Sequence, residues 1–528
     1  MISEVDSYHP QGIVESKNRV VFKKQVIEEC KEEFNIEDAV EYSGFGRYQI
    51  RLICICGILG ACDAMEMMLL SVLGPALRCS WQLSSSQIAM ITTAVFVGFL
   101  IGGPLWGRIA DKYGRLPSFG LVLSIIAYFG LLTSIAPTYN WLIFLRSVIG
   151  FAISGGSISS ALMSEFLPKK YRARILMGFQ IFWAIGSTFE IVLAFIVLPR
   201  FTWRLFILFS AIPILLGLIL LKFLPESPRY LAAHGRFDEA ESIIRNLHSS
   251  NGKPIMPGKL CHSVPINHQK ETKIMKRRRL IQSAVKKGSI QTLFAKEYLV
   301  TTLLLPFLWF TATFSYYGVV LISAEVFRVK SSKLNNDTLS GSAIQNKVDC
   351  CQEITTDDYV AMIFSSLGEF AMIPINILLV DNTGRKISSG INLVIGSLLF
   401  GLLDFINSKV ATNLILFMLR AVTAGYFSIC YIYTIEVYPT TVRMLAVGIF
   451  SGISRFGAMV TPYVAQVMYP DYSEGGALSI YSSVCLATGV LFMLLPIETK
   501  GRNLPQGLDN EIVVFSRESE NVSNTVEE

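Results

Sequence analysis

Twelve apolar stretches follow one another from Arg51 to Leu495, separated by mostly short polar segments. A helix needs about 20 mostly apolar residues to cross the hydrocarbon of a bilayer. The pattern predicts crossing helices over Arg51–Leu77, Gln87–Trp106, Ser118–Ala136, Trp141–Met163, Ile175–Leu198, Trp203–Leu224, Tyr298–Ile322, Asp358–Val380, Ser388–Ile406, Thr412–Ile435, Leu445–Met468 and Ala477–Leu495, numbered below as spans one to twelve. The longer ones cross with tilt.

The connectors alternate in charge. GRIADKYGR follows span two, PKKYRAR span four, a long loop with Lys276-Arg277-Arg278-Arg279 span six, and GRK span eight, whereas connectors such as PTYN carry little charge. Lys and Arg near span ends mark the cytosolic side, so both termini are expected there. The expected organisation is a cytosolic tail over 1–50, a six-helix half over 51–224, a cytosolic linker over 225–297, a second half over 298–496 with a non-cytosolic loop over 323–357, and a cytosolic tail over 497–528. Composition agrees. Of 528 residues 52% are hydrophobic and 16% charged, against about 25% charged in soluble proteins, and the mean hydropathy is +0.48. A soluble binding module is excluded. The net charge of +6 is modest and does not suggest nucleic acid as a partner. The first fifty residues show no cleavable signal pattern, so span one is expected to act as its own insertion signal.

The two halves repeat. Asp111-x-x-Gly114-Arg115 returns 270 residues later as Asp381-x-x-Gly384-Arg385, and Glu165-x-x-Pro168-x-x-x-Arg172 returns after 271 as Glu436-x-x-Pro439-x-x-x-Arg443. Arg146 in span four matches Arg420 in span ten, 274 residues on. Near-constant offsets describe a parallel repeat, which builds a cavity at mid-membrane between its halves.

GRIADKYGR, its echo VDNTGRK, LPESPRYL after span six and LPIETKGR after span twelve resemble the major facilitator superfamily in its sugar-porter and organic-ion-porter branch. DAMEMM, SEFLPKK, FWAIGSTFE and FSYYGVVL are similar to its synaptic-vesicle transporter-like group, and the resemblance runs from about Glu37 to Arg502. It implies an all-α integral membrane protein, twelve transmembrane helices in two six-helix bundles. It also implies alternating-access transport of a small organic solute, an ion above all, by a monomer without cofactor. The bilayer is its other partner, and protons are an open choice of coupling ion. The expected membrane is that of a secretory or synaptic-like vesicle, or the plasma membrane. The resemblance further implies a cytosolic gate that latches the halves in the outward-open state. Asp111, Gly114, Arg115, Glu165 and Arg172 would form it in one half, and Asp381, Gly384, Arg385, Glu436 and Arg443 in the other. Leu116 stands where the second half has Lys386, so identical charge contacts are not expected.

Charges inside spans are expensive, about 2.5–3.5 kcal/mol each at mid-bilayer on insertion scales, and face protein or water. Asp63 and Glu66 in span one are three apart and share a helix face, with Arg146 as the expected countercharge. Two readings stand: a structural ion pair of Asp63 with Arg146, or a centre that carries a coupling proton or meets a cationic substrate. Glu190, Glu369, Arg420 and Arg455 are further intramembrane charges, the first three taken as transport residues. Asp404 is expected at the interface and Glu325 at the outer rim. Tyr317 and Tyr426 are the cavity candidates, because aromatic faces suit flat organic solutes and cations. Asn336 opens a glycosylation sequon in the one long non-cytosolic loop; Cys350 and Cys351 of that loop, with Cys79 of the first outer loop, leave a disulfide undecided. No nucleophile, metal or phosphate-loop constellation is present, so neither an enzyme nor an ATP-driven pump is expected. The competing reading is a transporter-shaped vesicle protein that serves binding or trafficking.

Overall fold

A computed structural model describes residues 33–254, 259–260, 293–338, 354–406, 408–439 and 442–500. Twelve helices long and apolar enough to cross a membrane occur among them: Arg47–Trp81, Ser85–Tyr113, Arg115–Ser134, Tyr139–Glu165, Lys170–Val197, Trp203–Phe223, Leu299–Val329, Thr356–Thr383, Arg385–Phe405, Lys409–Val437, Leu445–Tyr472 and Glu474–Met493. Each expected span is present. Many run past their apolar stretch, because polar residues cap them: Ser84 accepts from the Gln87 amide ahead of span two, and Thr355 from Asp358 ahead of span eight. Span seven departs most. Its helix continues to Thr338, into the segment expected to be loop. Glu325 and Arg328, one turn apart, pair at 2.8 Å and let the charged continuation stay helical. Asn336 lies on this continuation, while Lys276–Arg279, Cys350, Cys351 and the ends of both tails lie outside the described residues.

The halves pack alike. Spans one and five, two and four, and three and six pair in the first, and seven and eleven, eight and ten, and nine and twelve pair in the second. Close approach is set by small residues. A Cβ on Gly98 would strike the Ser147 carbonyl, and one on Gly150 the Val95 carbonyl, so spans two and four interlock backbone to backbone; Gly103 and Gly107, on the same helix, meet nothing. Large apolar side chains such as Phe307, Leu378, Leu398 and Phe405 point outward, as lipid requires of a helix whose backbone is satisfied internally.

The halves meet along spans one and seven, two and eleven, and five and eight. Span eleven ends in a π-helical stretch, Tyr463–Tyr472, whose Gln466 accepts from Thr92 (3.2 Å) and whose Asp471 accepts from Ser85 (2.9 Å). Arg78 of span one and Glu325 of span seven add an ion pair at 3.2 Å. Glu325 is therefore a buried seam residue rather than a rim group. These contacts lie at the end of the bundle away from the basic connectors. At the basic end, the segment before span one docks on the linker. Asn251 caps the Tyr48 amide (3.1 Å), His248 Nε2 lies 2.9 Å from the Ala39 carbonyl oxygen, and β1 (Glu33–Phe34) pairs with β2 (Lys259–Leu260).

Candidate functional site

Two buried arginines organise the middle of the molecule. Arg146, fully buried, holds Glu66 at 3.0 Å across spans four and one. The ion pair is thus made by Glu66 and not, as one expectation had it, by Asp63. Asp63 sits one turn nearer the basic end and packs on Gly156, where span four breaks into a single 3₁₀ turn, Ser154–Gly156. Any Cβ there would collide with its carboxylate, and its Oδ1 has no hydrogen-bond partner among the described residues. Glu190 does not reach the seam either. It is held inside the first half by the Ser210 hydroxyl, at 2.9 and 3.0 Å from its two oxygens.

The second arginine works differently. Arg420 holds Glu369 at 2.8 Å, and Glu369 also accepts from Tyr316 (3.0 Å) and from Ser187 of the opposite half (3.4 Å). Trp183, also of the first half, donates to the Tyr316 hydroxyl at 2.7 Å, and Arg420 Nη2 touches Met68 Sδ at 3.4 Å. Ala64, Met67, Met68, Trp183, Ser187, Tyr316, Tyr317, Val320 and Arg420 line a small cavity there. Tyr317 thus borders it. Tyr426 does not: it is buried within the second half, where it donates to the Leu308 carbonyl at 2.8 Å. Trp183, Ser187 and Tyr316 were not singled out from the sequence, although Trp183 and Ser187 are four apart in FWAIGSTFE and share a helix face.

From this cluster outward the seam continues through Phe96 against Tyr317 (4.9 Å between rings), Thr188 with Ser366 (2.9 Å) and Thr93 with the Met459 carbonyl (3.3 Å), to Arg78–Glu325. At the basic end the motif residues pair within their own halves. Arg115 reaches Asp111 (3.0 Å) and Glu165 (3.5 Å), and Arg385 reaches Glu436 (2.8 Å), while Asp381 is exposed. Gly114 and Gly384 take positive φ, 104° and 88°, a conformation other residues adopt only with strain. That turn aims the next two amides at one carboxylate: Arg115 and Leu116 N–H at Glu226, Arg385 and Lys386 N–H at Glu498. An acidic group at a helix N-terminus is favoured. Because the backbone makes this contact, Leu116 in place of a lysine changes nothing in it. Arg172 and Arg443 donate to the Leu167 and Tyr438 carbonyls (3.0 and 3.3 Å); among the described residues Glu165 and Glu436 are taken by Arg115 and Arg385 instead. Burial holds the Arg443 guanidinium below its ordinary range.

Residues 30–507 match the family described as Sugar (and other) transporter, and the chain belongs to that family. More particularly, it is similar to Synaptic vesicle 2-related protein of Bos taurus, 37% identical over 94% of this chain and 87% of that protein. It is also similar to a human protein named "Putative transporter SVOPL", 39% identical over 90% and 93%. Among solved structures, a partially occluded inward-open conformation of the xylose transporter XylE from E. coli shares the fold, with a TM-score of 0.66 at 17% identity over 87% of this chain and all of that one.

Proposed function

We propose that the chain is a secondary active transporter that moves a small organic solute by rocking one six-helix half against the other, with the basic end in the cytosol. The observation that carries this reading is the distribution of seam contacts. The hydrogen bonds, ion pair and ring contacts named between the halves run from mid-depth to the far end, whereas the gate motifs at the basic end pair within their own halves. That is the arrangement of an inward-facing state, and it gives the latch residues free partners to exchange when the basic end closes. Glu66–Arg146 with the uncompensated Asp63 is the proposed coupling centre, because a carboxylate without a cation at this depth is at its most economical with a proton. Glu369, Arg420 and Tyr317 border the proposed substrate path; Glu190 is assigned to holding spans five and six. The names of the relatives support a vesicle membrane as the location.

Purified protein in liposomes with an imposed pH gradient tests this. Accumulation of a solute from a panel of organic ions should depend on the gradient, and Asp63→Asn should remove that dependence while leaving folding intact. Wild-type pH dependence in a well-folded Asp63→Asn protein would sink the coupling role.

A further inference from the structure

Span eleven changes its winding at the outer end. Over Tyr463–Tyr472 it is π-helical, and the Ser473 N–H that closes the stretch donates to the Met468 carbonyl, five residues back, at 2.9 Å. Such winding is rare and mostly confined to single turns; among the described residues no other helix holds a stretch of it. Its contacts show what it delivers. Gln466 accepts from Thr92 at 3.2 Å and Asp471 from Ser85 at 2.9 Å, and Ser85 and Thr92 lie about two turns apart on one face of the α-helical span two. On an α-helix, residues five apart diverge by about 140° around the axis. An α-wound stretch that kept Gln466 on Thr92 would therefore turn Asp471 off span two and present Pro470 in its place. Pro470 also gives a reason for the wide winding. In an α-helix a proline ring strikes the carbonyl four residues back, and here that carbonyl belongs to Gln466. Below the stretch the helix is pinned to its own half, the Thr461 hydroxyl lying 2.9 Å from the Phe314 carbonyl and 2.6 Å from the Tyr481 hydroxyl. A change of winding then rotates the outer end and leaves the rest in place.

We propose that Tyr463–Tyr472 is a winding switch for the far end of the seam. π-wound, it seats Asp471 on Ser85 and holds the halves together there; α-wound, it swings Asp471 out and frees the far end to part. This rests on the transport reading, in which the far end has to open, and names the part that releases it. The bland alternative is a fixed irregularity that houses Pro470 and does not rewind.

Spin labels carried on non-natural side chains at Ser86 and Lys409, both exposed at the far end, leave the native thiols alone. They report the distance across that end in the full-length protein in lipid nanodiscs. The wild type should give a short and a long distance, closed and open. Pro470→Ala removes the clash that disfavours α-winding and should raise the ratio of long to short by roughly threefold or more, the weight of one hydrogen bond to a partly exposed carboxylate. Ser85→Ala should do the same, and the two changes together should do no more than either, because both break one contact. Deleting Val467 in the Pro470→Ala protein places Asp471 four residues from Gln466, back on one face of an α-helix, and should restore the short distance. An unchanged ratio in Pro470→Ala overturns the proposal. So does a folded deletion variant that stays long. Summation of the Pro470→Ala and Ser85→Ala effects overturns it too, and that comparison carries the test should the deletion fail to fold. Two distances in the wild type that no variant shifts remove this inference alone; a single distance in every protein removes the transport reading beneath it as well.

Discussion

The repeat places Arg146 and Arg420 at equivalent positions, yet the two arginines do different work. Arg146 takes its carboxylate from span one of its own half, and a Cβ on Gly130 of span three would come into van der Waals contact with that Glu66 carboxylate. Arg420 takes its carboxylate from span eight, and that carboxylate also binds Ser187 of the other half. One pair lies within its own half; the other belongs to a hydrogen-bond network that crosses between the halves. A shared fold therefore does not imply shared function for matched residues. What decides it is whether the partner helix faces its own bundle or the seam.

The largest effects should come from breaking these pairs. Arg146→Met strands a buried carboxylate and should cost about 3–5 kcal/mol, seen as a lower melting temperature, with no change in labelling of a cysteine placed at Thr92. The double variant Glu66→Gln/Arg146→Met should recover most of that loss. Arg420→Met should cost as much and also increase labelling at Thr92→Cys, because the network between the halves loosens. If Arg146→Met alone altered that labelling, the distinction between the pair within one half and the network across both would collapse.

Next is the far end. Arg78→Gln removes a charge-assisted contact worth roughly 1.5–3 kcal/mol, enough for a tenfold or larger population shift. Fluorescence-based distances between labels across that end should lengthen; unchanged distances count against a seal there. Smaller still are the caps. Glu226→Ala and Glu498→Ala should each cost about 1–2 kcal/mol and, made by equivalent carboxylates on equivalent turns, should agree within about 0.5 kcal/mol. Disagreement in melting temperature would show that the halves differ at the gate as well as at the centre. Smallest is Asp111→Asn. Its carboxylate is 74% exposed in the pair with Arg115, so stability should change by less than about 1 kcal/mol, while accessibility at the basic end should rise if Asp111 is a latch residue in the other state.

The spans were legible in the sequence because lipid demands continuous apolar length, and the repeat because its motifs sit on turns with special geometry. Gly114 and Gly384 mark those turns directly. The pairing of charges was not legible. Asp63 and Glu66 share a face, and their depth along span one decides which of them meets Arg146: Glu66 does, while Asp63, a turn nearer the basic end, faces Gly156. Tyr316 and Tyr317 are neighbours in sequence, and helix rotation alone gives one of them the Glu369 hydrogen bond. Glu226 and Glu498 were in quoted motifs; the signal that could have found them is their own offset of 272 residues, in step with the other repeats.

Those two carboxylates have a mechanical consequence. Each ties the segment after the last helix of a half to the first turn of its third helix, so each half is a closed circuit at the basic end and resists splaying. In the proposed rocking motion a body that does not splay is a lever, with the cluster of Trp183, Tyr316 and Glu369 as its fulcrum. A helix of 28 residues, such as span eight, is about 42 Å long at 1.5 Å per residue, which leaves an arm of roughly 20 Å on either side. Rotation by about 15°, the scale of known subunit rotations, then moves the end of that arm by on the order of 5 Å. Motion of this size at both walls is the width of a flat ring compound, obtained without unfolding a turn of helix.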